Sequence, residues 1–198
     1  MSTIDVRAFS APEARSWVHS WPTHLISLID PGDTKFLVTS PRTDLSHLVL
    51  ELADVTNPNA PDAPTPGHIQ QLIELGQRLP AGARLLCHCR GGIGRSPAAA
   101  CIALTARGMS PGEALDMVLN VRPQAQPNPW MLLLADEVRE KSASDGLYPT
   151  WLTWARRQAH WRPIPDKLVH QAIEGDRAAR RKLVTAQTHK RHHSRRRP

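Results

Sequence analysis

Short apolar runs alternate with longer amphipathic ones along this chain. The segment IDVRAF, residues 4–9, places Ile, Val and Ala at every second position and reads as a first strand. Ser10 followed by Glu13 forms a capping box ahead of a short helix through Trp17. HLISLID, stopped by Pro31-Gly32, reads as a second strand and HLVLELAD as a third. The Pro-rich stretch Asn57 to Pro66 is a loop whose end supplies Thr65 as N-cap and Pro66 as first helical residue, with the helix running to about Leu79. Leu85 to Cys87 suits a short buried strand, and Ser96 to Arg107 a helix of small residues closed by Gly108. Ser110-Pro111-Gly112-Glu113 caps a helix to about Asn120, RPQAQPNP breaks it, and another helix covers Trp130 to Lys141. Past Tyr148-Pro149 the pattern is helical again, with Trp151, Trp154 and Trp161 spaced to share a packing face. Strands alternating with helices predict an α/β fold, a mostly parallel central sheet flanked by helices on both faces.

Charge divides the chain. Residues 1–161 hold 14 Lys/Arg against 15 Asp/Glu, whereas residues 162–198 hold 11 against 3 and end in HKRHHSRRRP, which has no apolar residue to place in a core. The expected organisation is a catalytic domain over 1–148, a helical basic extension over 149–187 and a disordered basic tail over 188–198. Such a tail suits nucleic acid or anionic lipid, with a solvated extension as the plain alternative. The N-terminus carries charges where a secretory signal is apolar, and no run reaches the roughly 18 apolar residues needed to span a bilayer, so a cytoplasmic location is expected. All three cysteines lie between Cys87 and Cys101, which implies no disulfide framework and leaves a reduced thiol open to chemistry.

The stretch RLLCHCRGGIGRSP carries that chemistry. A strand, a glycine-rich turn and a helix N-terminus together aim backbone N–H groups and the positive end of a helix dipole at one anion. Gly91, Gly92 and Gly94 let the backbone wrap closely, and the amides of Arg90, Gly91, Gly92, Ile93, Gly94 and Arg95 supply the donors. A cysteine at the mouth of this cradle is expected to have its pKa lowered toward the roughly 3.5–7.5 of activated thiols, making Cys89 a thiolate. Arg95 can offer two parallel N–H donors to two phosphate oxygens. Cys87 and Cys101 read as core residues. Cys87-His88-Cys89 is not a metal site, since neighbouring strand residues point to opposite faces and no second Cys/His pair lies at ligand spacing; no metal or cofactor is expected.

HCRGGIGRS resembles the H-C-x5-R-S/T motif of the cysteine-dependent protein tyrosine and dual-specificity phosphatases, and RPQAQPN, Arg122 to Asn128, resembles a segment that follows in dual-specificity members. The resemblance covers about Ile4 to Glu140. It implies that Cys89 attacks phosphorus to form a cysteinyl-phosphate, that Arg95 and the loop amides hold the equatorial oxygens, that His88 orients the loop, and that Ser96 stabilises the departing thiolate. It also implies an aspartate general acid on the loop after the preceding strand. Asp54, at the end of LVLELAD, has that context, with Asp62 as the second candidate; Asp54 also suits a turn cap, and Asn128 a helix N-cap. The substrate implied is a phosphorylated protein. An RNA 5′-phosphatase or phosphoinositide phosphatase is the alternative suggested by Arg90 and the basic tail, and a non-catalytic phosphate-binding module is the alternative outside enzymes.

Overall fold

A computed structural model describes residues 4–141 and 144–158. Strands β1 (Asp5–Ser10), β2 (His24–Ile29), β3 (Ser46–Glu51) and β4 (Arg84–Cys89) form a parallel four-stranded sheet in the order β1-β4-β2-β3. The last strand is inserted at the centre, so the turn that leaves β4 emerges between the turns that leave β1 and β2. Because all four strands run the same way, Ser10, Asp30, Leu52 to Asp54, and Cys89 arrive at one edge of the sheet. This is where open α/β sheets place ligands.

Local sequence accounts for the helices. Helix α1 (Ala11–Trp17) starts on the expected capping box, in which Glu13 accepts from the Ser10 amide at 2.8 Å. Helix α2 (Pro66–Arg78) starts at Thr65 with Pro66 at its first position, and His68 fills the reciprocal place, its Nδ1 accepting from the Thr65 amide. Helix α3 (Arg95–Ala106) is buried from Arg95 through Thr105, lying between the sheet, α2, α4 (Pro111–Val121) and α5 (Pro129–Val138). Its alanines permit this close packing, and at the α2 crossing a Cβ on Gly76 would overlap the Ala103 carbonyl. On the opposite face, Ala11, Ala14 and Val18 close over Leu25, Val38 and Leu86, with Phe9, Trp21 and Phe36 at the margin. Each such aliphatic burial removes surface worth roughly 1.5–3 kcal/mol for a Leu-sized side chain.

Several boundaries differ from the sequence reading, among them the end of β3, which stops at Glu51 short of Asp54. Strand β4 continues past Cys87 through His88 and Cys89, because Ser10 of β1 is still in register opposite Cys89. Helix α5 stops at Val138 rather than Lys141: Glu140 takes a left-handed φ of 52° and the Lys141 amide returns to the Asp136 carbonyl. The Asp136 carboxylate accepts the first two amides of α6 (Leu147–Ala155), those of Leu147 and Tyr148, at 2.8 Å each. Burial pushes the Asp136 carboxyl up, and those two amides oppose the shift. The compact unit therefore extends beyond residue 148, to Arg157, with α6 packed on α4 and α5. Trp151 is buried on α6; Trp161 and the rest of the basic extension and tail lie outside the described residues.

Candidate active site

The turn from Arg90 to Gly94 is held from outside through every one of its carbonyls. The Arg90 carbonyl accepts from the Ala11 amide, that of Ile93 from Gln126, and that of Gly94 from Asn128 and Ala98. Arg122 binds the remaining two, donating from Nη2 to Gly91 O and from Nε to Gly92 O at 3.2 Å each. A peptide whose carbonyl is turned outward presents its N–H inward, so this outer shell is what builds an inner ring of donors. Among the described residues the amides of Gly91, Ile93 and Gly94 have no hydrogen-bond acceptor, while that of Gly92 donates to Cys89 Sγ at 3.2 Å. Gly92 is required by this geometry, and a side chain at position 94 would displace the Asp54 carboxylate. Gly92 has a φ of 70° and a Cβ there would lie 2.5 Å from Ser10 N; a Cβ on Gly94 would lie 2.6 Å from Asp54 Oδ2. Gly91 is not under that constraint, its nearest neighbour being Ile93 Cγ1 at 3.8 Å.

Cys89 sits at the end of β4 at 2 % exposure, with Ser96 Oγ 3.3 Å from its sulfur. Ser96 also donates to Phe9 O. Cys87 and Cys101 are fully buried, and desolvation pushes both thiols up, Cys101 to about 12. They are protonated at neutral pH. Arg95, 3 % exposed, reaches across the edge of the sheet: Nη1 donates to Leu52 O at 2.7 Å and to Asp30 Oδ1 at 3.1 Å, and Nη2 to Asp30 Oδ2 at 3.3 Å. Its Nε is buried with no hydrogen-bond partner, 3.9 Å from Asp54 Oδ2. A buried N–H donor without an acceptor is costly, and an anion in the cradle would satisfy it. Asp54 is held over the loop by Asn128, whose Nδ2 donates to Asp54 Oδ1 at 2.8 Å and to Val55 O at 3.2 Å. Asp62 is not brought to this place: it is exposed, in a left-handed conformation, and its carbonyl closes the base of the loop by accepting from Ala53.

No protein-family model and no curated protein matches the sequence. Among solved structures, human DUSP28 superposes over 68 % of this chain and 91 % of its own, at 21 % identity and a TM-score of 0.50. The chain has the fold of the dual-specificity phosphatases. Tk-PTP in its active form is similar at 22 % identity, covering 72 % of this chain and 95 % of its own, with a TM-score of 0.48. A mouse putative dual specificity phosphatase complexed with zinc tungstate is similar at 19 % identity over 66 % and 79 %, with a TM-score of 0.49.

In this phosphatase fold three residues matter that the sequence reading did not assign to the site. Asp30 anchors the Arg95 guanidinium. Arg122 braces the loop and pairs with Glu13 Oε1 at 2.6 Å. Desolvation raises the Glu13 carboxyl, but hydrogen bonds from Arg122 and Ser10 outweigh it and hold the group at about 2. Asn128 does cap α5, accepting from the Met131 amide, yet its amide nitrogen also fixes Asp54. The near match of RPQAQPN to a family segment was the available signal for Arg122 and Asn128; Asp30 had none. His88 is fully buried, its Nε2 2.6 Å from Ser27 Oγ, and desolvation, with His47 nearby, pushes it down to about 4. It is neutral at physiological pH. Arg90 and Ile93 are exposed, Arg90 lying over the Phe36 ring at 4.9 Å. Among the described residues no cluster of three His, Cys, Asp or Glu is placed to hold a metal, and no helix is long and apolar enough to cross a membrane.

Proposed function

We propose that this protein is a phosphomonoester hydrolase acting on phosphoprotein through a cysteinyl-phosphate. The observation that carries the reading is the Cys89 sulfur seated at the centre of a loop whose five carbonyls are all bound from outside, beside a buried Arg95 Nε–H that lacks an acceptor. Three non-bridging phosphate oxygens would take the free loop amides and the Nε–H, with Arg95 kept in place by Asp30 and Leu52. The Cys89 sulfur attacks phosphorus as the bond to the leaving oxygen breaks, and Asp54, poised by Asn128, gives that oxygen its proton. Water then attacks phosphorus as the phosphorus–sulfur bond breaks, Asp54 takes up the water proton, and the Ser96 hydroxyl turns its proton from Phe9 O to the departing sulfur. His88 holds the strand end from which Cys89 projects. No metal takes part in these steps.

The test is hydrolysis of an aryl phosphate, a phosphotyrosine peptide, a phosphothreonine peptide, a phosphoinositide and triphosphorylated RNA by the wild-type protein and by Cys89→Ser. The reading expects turnover of the aryl phosphate and a phosphopeptide, lost in Cys89→Ser, with tungstate affinity retained within a few fold. Preference for the lipid or the RNA would move the assignment to those substrates. Tungstate binding without turnover of anything would make the protein a phosphate-binding module.

A further inference from the structure

Arg90 follows Cys89 directly, and its exposed guanidinium lies over the Phe36 ring, Cζ 4.9 Å from the centroid. Both ends of this contact are fixed. The Arg90 carbonyl accepts from the Ala11 amide, which anchors the backbone from which the side chain leaves. Phe36 ends a single helical turn, Thr34–Phe36, in the loop that leaves β2 at the same edge of the sheet as Cys89, and it leans on the core cluster that includes Ala11, Leu25 and Leu86. Lys35 brings a second cation to this ring, its Nζ 5.2 Å from the centroid. Arg15 of α1 brings a third, donating from Nη2 to the Lys35 carbonyl.

The carboxylates of this neighbourhood are already engaged. Asp30 holds Arg95, Glu13 holds Arg122, and Asp33 lies 3.5 Å from Lys35 Nζ. Among the described residues Arg90 and Arg15 have no carboxylate partner, and three cations against Asp33 leave this rim with an excess of two positive charges. A phosphate in the cradle has the loop amides and the Arg95 Nε–H, so these cations are left for whatever stands beside it. A guanidinium held over a ring keeps its N–H donors for a ligand at its rim, and its planar fork suits a carboxylate or a phosphate. The surroundings favour a peptide. Phe36 already carries two cations and leans on the core, so it offers no bare face on which a base could stack. Ile93 is the exposed large apolar side chain of the loop, and alone it is too little to anchor on a membrane.

We propose that Arg90, held on Phe36 and flanked by Lys35, is a specificity subsite for an anionic side chain, carboxylate or phosphate, one or two residues from the phosphorylated residue of a substrate peptide. The spacing follows from reach. Arg90 adjoins the nucleophile in the chain, so its guanidinium lies one side chain's length from the backbone beside Cys89. An extended peptide advances about 3.3–3.6 Å per residue, which brings the side chain of a near neighbour, and not of a distant residue, to that place. The subsite holds the peptide alike before and during phosphoryl transfer, so its effect belongs in KM and not in kcat. The proposal rests on the phosphatase reading for the phosphorylated residue that fills the cradle.

The test uses the full chain and phosphopeptides in which the residues flanking the phosphorylated one are varied singly among Gln, Glu, Lys and phosphoserine. The readout is the ratio of kcat/KM between peptides within one variant, so damage to the cradle cancels. In the wild type the best-placed Glu should gain about fivefold over Gln at low salt, the upper end for an exposed ion pair, and the gain should shrink toward unity at about 0.5 M salt. A larger gain for phosphoserine assigns the subsite to phosphate, and an equal or smaller one to carboxylate. Arg90→Gln should reduce the gain to below about twofold, and Arg90→Glu should turn the preference toward the Lys peptide. Arg78→Gln removes the same charge beside His24 and Ser46, where the strands begin at the far edge of the sheet, and should leave the gain intact. Calorimetric binding of the same peptides to Cys89→Ser, with and without Arg90→Gln, gives the ratios without turnover. No gain in the wild type, a gain that survives Arg90→Gln, or one lost equally in Arg78→Gln would overturn the proposal. A greater cost of Arg90→Gln to an inositol phosphate or a triphosphorylated RNA than to either anionic peptide would overturn the choice of a peptide. Selective binding without turnover would sink the phosphatase reading and leave the subsite standing; turnover without selectivity would do the reverse.

Discussion

Replacing Arg122 by methionine tests the idea that the cradle is built from outside. Arg122 is 8 % exposed and makes three hydrogen bonds, to Gly91 O, Gly92 O and Glu13 Oε1. The pair with Glu13 contributes least despite its 2.6 Å length, because the Glu13 side chain is 44 % exposed and water screens it; a partly exposed pair is worth at most about 1 kcal/mol. The two carbonyls matter more. Methionine fills much of the space but leaves one buried and one half-buried acceptor unbound, at about 1–3 kcal/mol for the buried one and about 1 for the other. The expected loss of stability is therefore about 2–4 kcal/mol, read by urea unfolding, and kcat/KM should fall further than stability alone dictates because the loop amides lose their orientation. A double-mutant cycle with Glu13→Gln should return a coupling below about 1 kcal/mol. Glu13, held at about 2, contributes stability above its ordinary carboxylate range that is lost as pH falls toward 2, and this share of the acid sensitivity should shrink in Arg122→Met. A loss under about 0.5 kcal/mol, or a Glu13 coupling that accounts for all of it, would refute the reasoning.

Asp54→Asn should lower kcat by roughly 10²–10⁴ for an alkyl phosphate and much less for an activated aryl phosphate whose leaving group needs little protonation, while Asp62→Asn changes neither appreciably; equal losses on both substrates would assign Asp54 a structural part. His88 is pushed down to about 4, so the folded state disfavours its protonation, and the stability this confers is present above about 6.5 and lost as pH falls toward 4. That loss is on the order of 3 kcal/mol, and urea midpoints at pH 7, 6 and 5 should drop more steeply for the wild type than for His88→Asn; parallel slopes would contradict it.

What could be read from the sequence was local. Ser10 with Glu13, Thr65 with Pro66, and Ser110 with Glu113 mark helix starts because a cap is satisfied within four residues, and the strands show in short apolar runs for the same reason. The run from Cys89 to Ser96 is legible for the same reason, since a strand, a glycine turn and a helix N-terminus meet within a dozen residues. What escaped was set by strand order. Asp30 meets Arg95 because β4 inserts beside β2, a contact across 65 residues that no local pattern encodes. Arg122 and Glu13 are 109 residues apart, and their pairing depends on α4 ending beside the β1–α1 turn. The extent of β4 was set likewise by its partner, since only pairing with β1 keeps His88 and Cys89 extended.

The most direct measurement of the central claim is a rapid-quench experiment in which wild-type protein and the Asp54→Asn and Cys89→Ser variants are mixed with an aryl phosphate, stopped in acid, digested and analysed by mass spectrometry. The account predicts one phosphoryl group on the peptide carrying Cys89 in the wild type, accumulating further in Asp54→Asn because hydrolysis of the intermediate needs the same carboxylate, and absent in Cys89→Ser. Turnover with no phosphoryl group on Cys89 at any time, or with the group on another residue, would contradict it.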